Sequence, residues 1–177
     1  MNIELNVAAS ENNLEAMKKL YQAGDRLFIA LAMAAQGGHK EALEFLLTLE
    51  TTSEDQQEGM REGLFYASQN GHLEIVELLL ADKASLKRKG RSALHAAAGQ
   101  GHCDIVLKLI AAGIKVNVTD SDKCTPLFEA VANKHPEVIK SLLEKGADPI
   151  HKNRFGLTPS ELAREYGTDE IKALILN

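Results

Sequence analysis

The segment from Ser92 to Gly113 recurs 33 positions further on, from Thr125 to Gly146. Leu94 maps to Leu127, Ala97 to Ala130, His102 to His135, Leu109 to Leu142 and Gly113 to Gly146. The pattern starts again at Thr158, and it extends backwards as well. A leucine landmark falls at Leu94, Leu64, Leu31 and Leu5, and a Gly-His landmark at Gly101, Gly71, Gly38 and, degraded, Asn12. The units follow one another at intervals of 26, 33, 30, 33 and 33 residues, which counts six units. A period of this size defines an array: one unit cannot bury its own apolar face, and stacked neighbours bury it together.

Each unit reads as two short helices. Thr125-Pro126 and Thr158-Pro159 place a hydroxyl N-cap before a proline at the first helical position, where the missing N–H costs nothing. Glu161 completes a capping box with Thr158. After the Gly-His turn, Ile75 and Val76 recur one turn later as Leu79 and Leu80, and Ile105 and Val106 as Leu109 and Ile110, so one face of the second helix is core. Gly113 and Gly146 stand where a helix C-terminus takes a left-handed residue. The units run over about 1–24, 25–56, 57–86, 87–116, 117–149 and 150–177 of one domain, 1–177. The first and last act as caps, and Arg164, Glu165, Asp169, Glu170 and Lys172 give the sixth a polar surface, so the chain reads as complete.

Composition agrees with thin helical layers. Only five Phe and three Tyr occur among 177 residues, with no Trp, so small aliphatics must fill the interior. The fold class expected is all-α, with short hairpin loops and no larger sheet. The formal charge of −5 offers no general attraction to nucleic acid. The longest unbroken apolar run, Leu27 to Ala35, is far short of the roughly 20 residues a membrane helix needs. No export signal opens the chain, and two cysteines, Cys103 and Cys124, fit a reducing compartment. A cytoplasmic location is expected.

Little in the sequence suggests chemistry. His39, His72, His102 and His135 recur at one repeat position, but helices about 8 to 10 Å apart cannot bring equivalent imidazoles onto one ion. They read instead as helix-start residues bonding the adjacent turn. Cys103 lies between His102 and Asp104, yet sequence neighbours on a helix diverge. No phosphate loop, carboxylate pair or Cys-x-x-Cys is present, so no catalytic residue, metal ligand or cofactor is expected. Lys83, Lys87, Arg88, Lys89 and Arg91 make the sharpest charge feature, read as a solvated loop, with a patch for an acidic partner or a nuclear entry signal as the alternatives.

Taken together, the 33-residue period, Thr125-Pro126-Leu127, Gly-His-x-x-Ile-Val at Gly71 to Val76 and Gly101 to Val106, and Gly146-Ala147-Asp148 resemble the ankyrin-repeat family. The likeness covers essentially the whole chain and is most faithful from Gly63 to Ile175. The front departs from it: no Thr-Pro-Leu occurs there, and Thr51 to Gly63 is acidic and helical in character. The intervals of 26 and 30 imply that the loops before units two and four lack the full hairpin finger.

This resemblance implies a monomeric, non-catalytic module that recognises another protein through a concave face of first helices and loop tips, as adaptor, inhibitor or scaffold. An alternative is an effector of an intracellular bacterium that binds a host protein. The family's variable positions fall on Met33, Tyr66, Arg88, Lys89, Arg91, Ser121, Asp122, Glu129, Arg154, Phe155 and Leu157, beside an amide row of Gln36, Gln69, Asn70, Gln100 and Asn133. Tyr66, Arg88, Arg91 and Phe155 are the expected anchors, against the reading that Tyr66 packs on Phe65 and Phe155 covers a loop. The family also uses the position of His95 to tie neighbouring loops, and Asn117 resembles the loop asparagine that an asparaginyl hydroxylase modifies, against a plain turn-stabilising role.

Overall fold

A computed structural model describes residues 2–23, 25–82, 84–86 and 90–176. Among them are twelve helices and no strand, the all-α repeat architecture expected from the period. They form six pairs: α1 (Ile3–Ser10) with α2 (Leu14–Leu20), α3 (Phe28–Gly37) with α4 (Lys40–Leu47), α5 (Ser53–Asn70) with α6 (Leu73–Ala81), α7 (Ala93–Gln100) with α8 (Cys103–Ala111), α9 (Pro126–Ala132) with α10 (Pro136–Glu144), and α11 (Pro159–Tyr166) with α12 (Asp169–Leu176). Packing divides the chain into two compact units, Met1–Lys87 and Arg88–Asn177.

In the first unit α1, α3 and α5 stack in one layer, while α2 and α4 meet in a second. The leucine landmarks Leu5, Leu31 and Leu64 are buried at its centre. In the second unit α7, α9 and α11 stack, with α8, α10 and α12 behind them, around Leu94, Leu127, Ile105, Leu109 and Leu142. Alanine fills the tight places: Ala34, Ala35, Ala97, Ala98 and Ala130 are fully buried, which lets helices approach closely.

The turn inside each pair explains the Gly-His landmark. Gly38, Gly71 and Gly101 hold φ of 73°, 79° and 84°, and the substituted positions Asn12 and Lys134 keep the left-handed backbone at 55° and 61°. Glycine serves a second need at Gly38, because a Cβ there would lie 2.8 Å from Nδ1 of His72, in the following repeat. The sixth pair departs: Gly167 is extended, with φ −72° and ψ 151°.

The caps follow the sequence. Thr125 Oγ1 accepts from Phe128 N–H, and Thr158 Oγ1 accepts from Glu161 N–H while the Glu161 carboxylate accepts from Thr158 N–H. The unit boundary expected at 56/57 needs correction, because it falls inside α5. That helix has 18 residues, where the other first helices have seven to ten, and starts at Ser53 behind the N-cap Thr52. Its added turns lie against the start of α3, where Gly59 allows the approach: a Cβ there would stand 2.8 Å from Phe28 Cα. Helix thus replaces a hairpin finger in front of the third pair. Tight hairpin tips do form further on, where Asp120 N–H donates to Cys124 O and Asn153 N–H to Leu157 O.

Candidate interaction surfaces

Conserving the repeat geometry uses up most of the polar side chains that could have suggested chemistry. Nε2 of His39 bonds Ser10 O at 2.8 Å, that of His72 bonds Gln36 O at 2.9 Å, and that of His135 bonds Gly99 O at 3.1 Å. Each imidazole therefore ties its helix start to the turn of the preceding repeat. His95 is fully buried and does the same between loops: its Nδ1 accepts from Ser92 N–H, and its Nε2–H donates to Cys124 O at 2.9 Å. Burial holds its pKa below the usual imidazole value, in keeping with a neutral ring that has one donor and one acceptor.

Asn117 is also a tie. Its Nδ2 donates to Gly146 O at 3.1 Å and its Oδ1 accepts from Asp148 N–H at 2.8 Å, so the amide spans two successive loops where a role within its own turn was expected. Cys103 Sγ lies 3.1 Å from Ser141 Oγ, a contact between adjacent second helices. Among the described residues no group of three His, Cys, Asp or Glu side chains could hold a metal ion.

In the first unit, Met33 and Tyr66 line one groove of about 400 Å³ between α3 and α5. Phe28, Ile29 and Ala32 supply its apolar lining, and Gln36, Glu58 and Glu62 complete it. Tyr66 is half-buried, with its ring edge-on to Phe65 at 5.4 Å between centroids. Arg26 stands over the Phe28 ring at 4.8 Å and pairs with Asp55 and Glu58. Gln36 is exposed and its carbonyl accepts from Asn70 Nδ2, while Gln69 is half-buried.

In the second unit the expected residues pair among themselves. Arg91 donates to the Glu129 carboxylate at 2.8 Å; burial raises the Glu129 pKa, nearby Asp120 adds to the rise, and Arg91 opposes it. Arg154 donates to Asp122 twice, from its backbone N–H to Asp122 O at 2.8 Å and from its guanidinium to Oδ1 at 2.7 Å. That guanidinium also stands 5.3 Å from the Phe155 ring centroid, and Phe155 is 76% exposed. Ser121 and Gln100 are exposed, Leu157 is half-buried, and Asn133 turns its side chain back to Glu129 O in its own helix. Arg88 and Lys89, with Lys83 and Lys87, lie outside the described residues. Sequence reasoning missed Arg26 and Asp55, and also Ile150, which is 71% exposed on the loop leading to Phe155.

Stacked helix pairs joined by histidine and asparagine ties, with side chains projecting from first helices and loop tips, define a repeat scaffold for binding. The pattern described as ankyrin repeats in three copies matches residues 5–89, 31–120 and 64–153. The chain belongs to the ankyrin-repeat family, whose repeats are protein–protein interaction modules and generally non-catalytic. An Escherichia coli (strain K12) protein named for its ankyrin repeats, YahD, is 37% identical over 116 residues, covering 60% of this chain and 58% of the relative. The ankyrin repeat and KH domain-containing protein mask-1 of Caenorhabditis elegans is 29% identical over 97% of this chain and 7% of its own length. A Dirofilaria immitis L-asparaginase is 27% identical over 93% of this chain and 30% of its own length. The chain thus spans a little over half of the first relative and much less of the other two. No described helix is long and apolar enough to cross a membrane.

Proposed function

We propose that this protein is a non-catalytic interaction module that acts as adaptor, inhibitor or scaffold by occupying a partner protein's surface with its first helices and loop tips. The observation that carries this reading is Phe155: a large aromatic is 76% exposed on a loop tip whose neighbour Arg154 is fixed by two hydrogen bonds to Asp122. A held, exposed aromatic loses little freedom on binding and supplies much contact area, and aromatics and Arg dominate binding energy at interfaces. Arg154 with Asp122 lies beside Phe155, and Arg91 with Glu129 forms a second polar pair in the same unit. In this reading the protein works as a monomer in the cytoplasm and needs no cofactor. Asn117 is kept as a position for asparaginyl hydroxylation, which a one-oxygen mass increase on its peptide would reveal.

The test is affinity purification with mass spectrometry, followed by binding of the purified partner to Phe155→Ala and Arg91→Glu. Loss of binding at unchanged melting temperature supports the reading. Full affinity in both variants, or turnover of a substrate by the purified chain in an activity screen, rejects it.

A further inference from the structure

Resting on that interaction reading, we infer that the groove between α3 and α5 is a docking site for a basic, apolar-centred peptide segment of another protein, with an aliphatic or aromatic side chain in the groove and Lys or Arg beside it.

The groove belongs to the feature that sets the third pair apart. The added turns of α5 carry Glu54, Asp55, Glu58 and Glu62; Asp55 is buried against the start of α3, while Glu54 is exposed and Glu58 and Glu62 reach the groove lining. Among the described residues Arg26 pairs with Asp55 and Glu58, and Arg61 with Glu62. The unit around the groove is acidic in composition: residues 1–87 hold seven Lys and Arg against fourteen Asp and Glu, while residues 88–177 hold thirteen against eleven. The chain's acidity is concentrated in the unit that contains the groove.

Size and lining select the rest of the ligand. About 400 Å³ is room for one or two side chains, at the lower end of the volumes typical of ligand pockets. Ala32, with its small side chain, leaves room in the lining, and the unbranched Met33 adapts to differently shaped apolar groups. Tyr66 offers an apolar ring and a hydroxyl at one wall. An acidic ligand would meet Glu58 and Glu62 at the lining and be repelled. A purely apolar one would strip water from Glu58 and Glu62 and offer them no charge of its own.

The experiment selects a phage-displayed library of random peptides on the full folded chain at low salt. Lys or Arg flanking Leu, Met or Phe should be enriched. Synthetic copies should lose at least about tenfold in affinity for Ala32→Phe, which fills the groove, and for Glu62→Lys, which reverses the charge at its lining. Binding should weaken with added salt and persist in Phe155→Ala, with melting temperatures recorded for every variant. If Ala32→Phe does not fold, Glu62→Lys alone decides. The inference is overturned if no peptides are enriched, if acidic or uncharged ones are, or if the selected peptides bind Glu62→Lys as tightly as the parent. Peptides that depend on Phe155 and ignore the groove variants also overturn it, while leaving the interaction reading intact. A partner whose binding ignores Phe155 and Arg91 would sink that reading alone.

Discussion

The carboxylate of Asp55, in the third repeat, accepts hydrogen bonds from the backbone N–H groups of Leu27 and Phe28, and so caps α3 of the second. The N-cap of α3 is Leu27, whose side chain has no acceptor, and the free donors of that helix end are met across the repeat interface instead. Asp55 is only 5% exposed, receives Arg26 Nε at 3.0 Å and Thr51 Oγ1 at 3.2 Å, and so joins the helix start to the loop before α5.

Asp55→Ala should therefore cost about 2 kcal/mol, because it strands buried N–H groups at a helix N-terminus. Asp55→Asn should cost less, since one acceptor oxygen remains. Arg26→Ala should cost under about 1 kcal/mol, because the Arg26 side chain is 64% exposed and its pairing is screened by water. Urea unfolding of the three variants ranks them, and an unaffected Asp55→Ala midpoint would show that the cap contributes nothing.

This cap marks the limit of what the sequence makes legible. Leu5, Leu31, Leu64, Leu94 and Leu127 announce the array because stacking forces one apolar residue to recur, and Thr158 with Glu161 announces a helix start because capping is local. Asp55 serves a helix that begins 27 residues earlier, outside any repeat rule, in a segment that reads only as acidic and helical. The candidate site divides the same way. Phe155 stands out as an aromatic at a variable tip position, whereas the meeting of Met33 with Tyr66 depends on the close approach of α5 to α3 that Gly59 allows. Side-chain ties such as that of Asn117 to Gly146 and Asp148 depend on loop spacing in three dimensions.

Asn117→Ala should lower stability by about 1 kcal/mol, since it removes two partly solvated hydrogen bonds between loops. Asn117→Asp should fall between the two, because it keeps the acceptor for Asp148 N–H and loses the donor to Gly146 O. Thermal melts decide the order, and equal melting points for all three proteins would refute the tie.

Buried His95 should make stability depend on mild acidity. Its folded pKa lies below the unfolded value of 6.5, so below that pH the unfolded state binds the proton more readily. The contribution is complete above about pH 6.5 and declines as pH falls towards the depressed folded pKa. Protonation also removes the acceptor for Ser92 N–H. Unfolding free energies measured at intervals from pH 7.5 down to about 5 should show this decline in the parent and a flatter profile in His95→Gln. A parent profile as flat as the variant's would contradict the assignment.

Zn²⁺, Ca²⁺ and chelators should leave the melting temperature unchanged, because His39, His72 and His135 are each committed to a carbonyl of the preceding repeat. A rise of several degrees with stoichiometric ion would show a site formed by other residues.

Tyr66 and Phe155 are both aromatic, both at variable positions, and should nevertheless respond differently to truncation. Tyr66 is half-buried, packs edge-on against Phe65 and walls the groove, so Tyr66→Ala removes both packing and recognition surface. It should cost about 1 to 3 kcal/mol of stability and weaken partner binding as well. Phe155 is 76% exposed, with Arg154 as its ring's cationic neighbour, so Phe155→Ala should change stability by no more than about 0.5 kcal/mol. Its effect on binding should be about 1 to 4 kcal/mol, and Arg91→Glu should slow association in a salt-dependent way. The contrast is measured by calorimetric melting and partner affinity on the same protein samples. A fall in melting temperature for Phe155→Ala at unchanged affinity would make that ring a structural element and move the interface away from the loop tips.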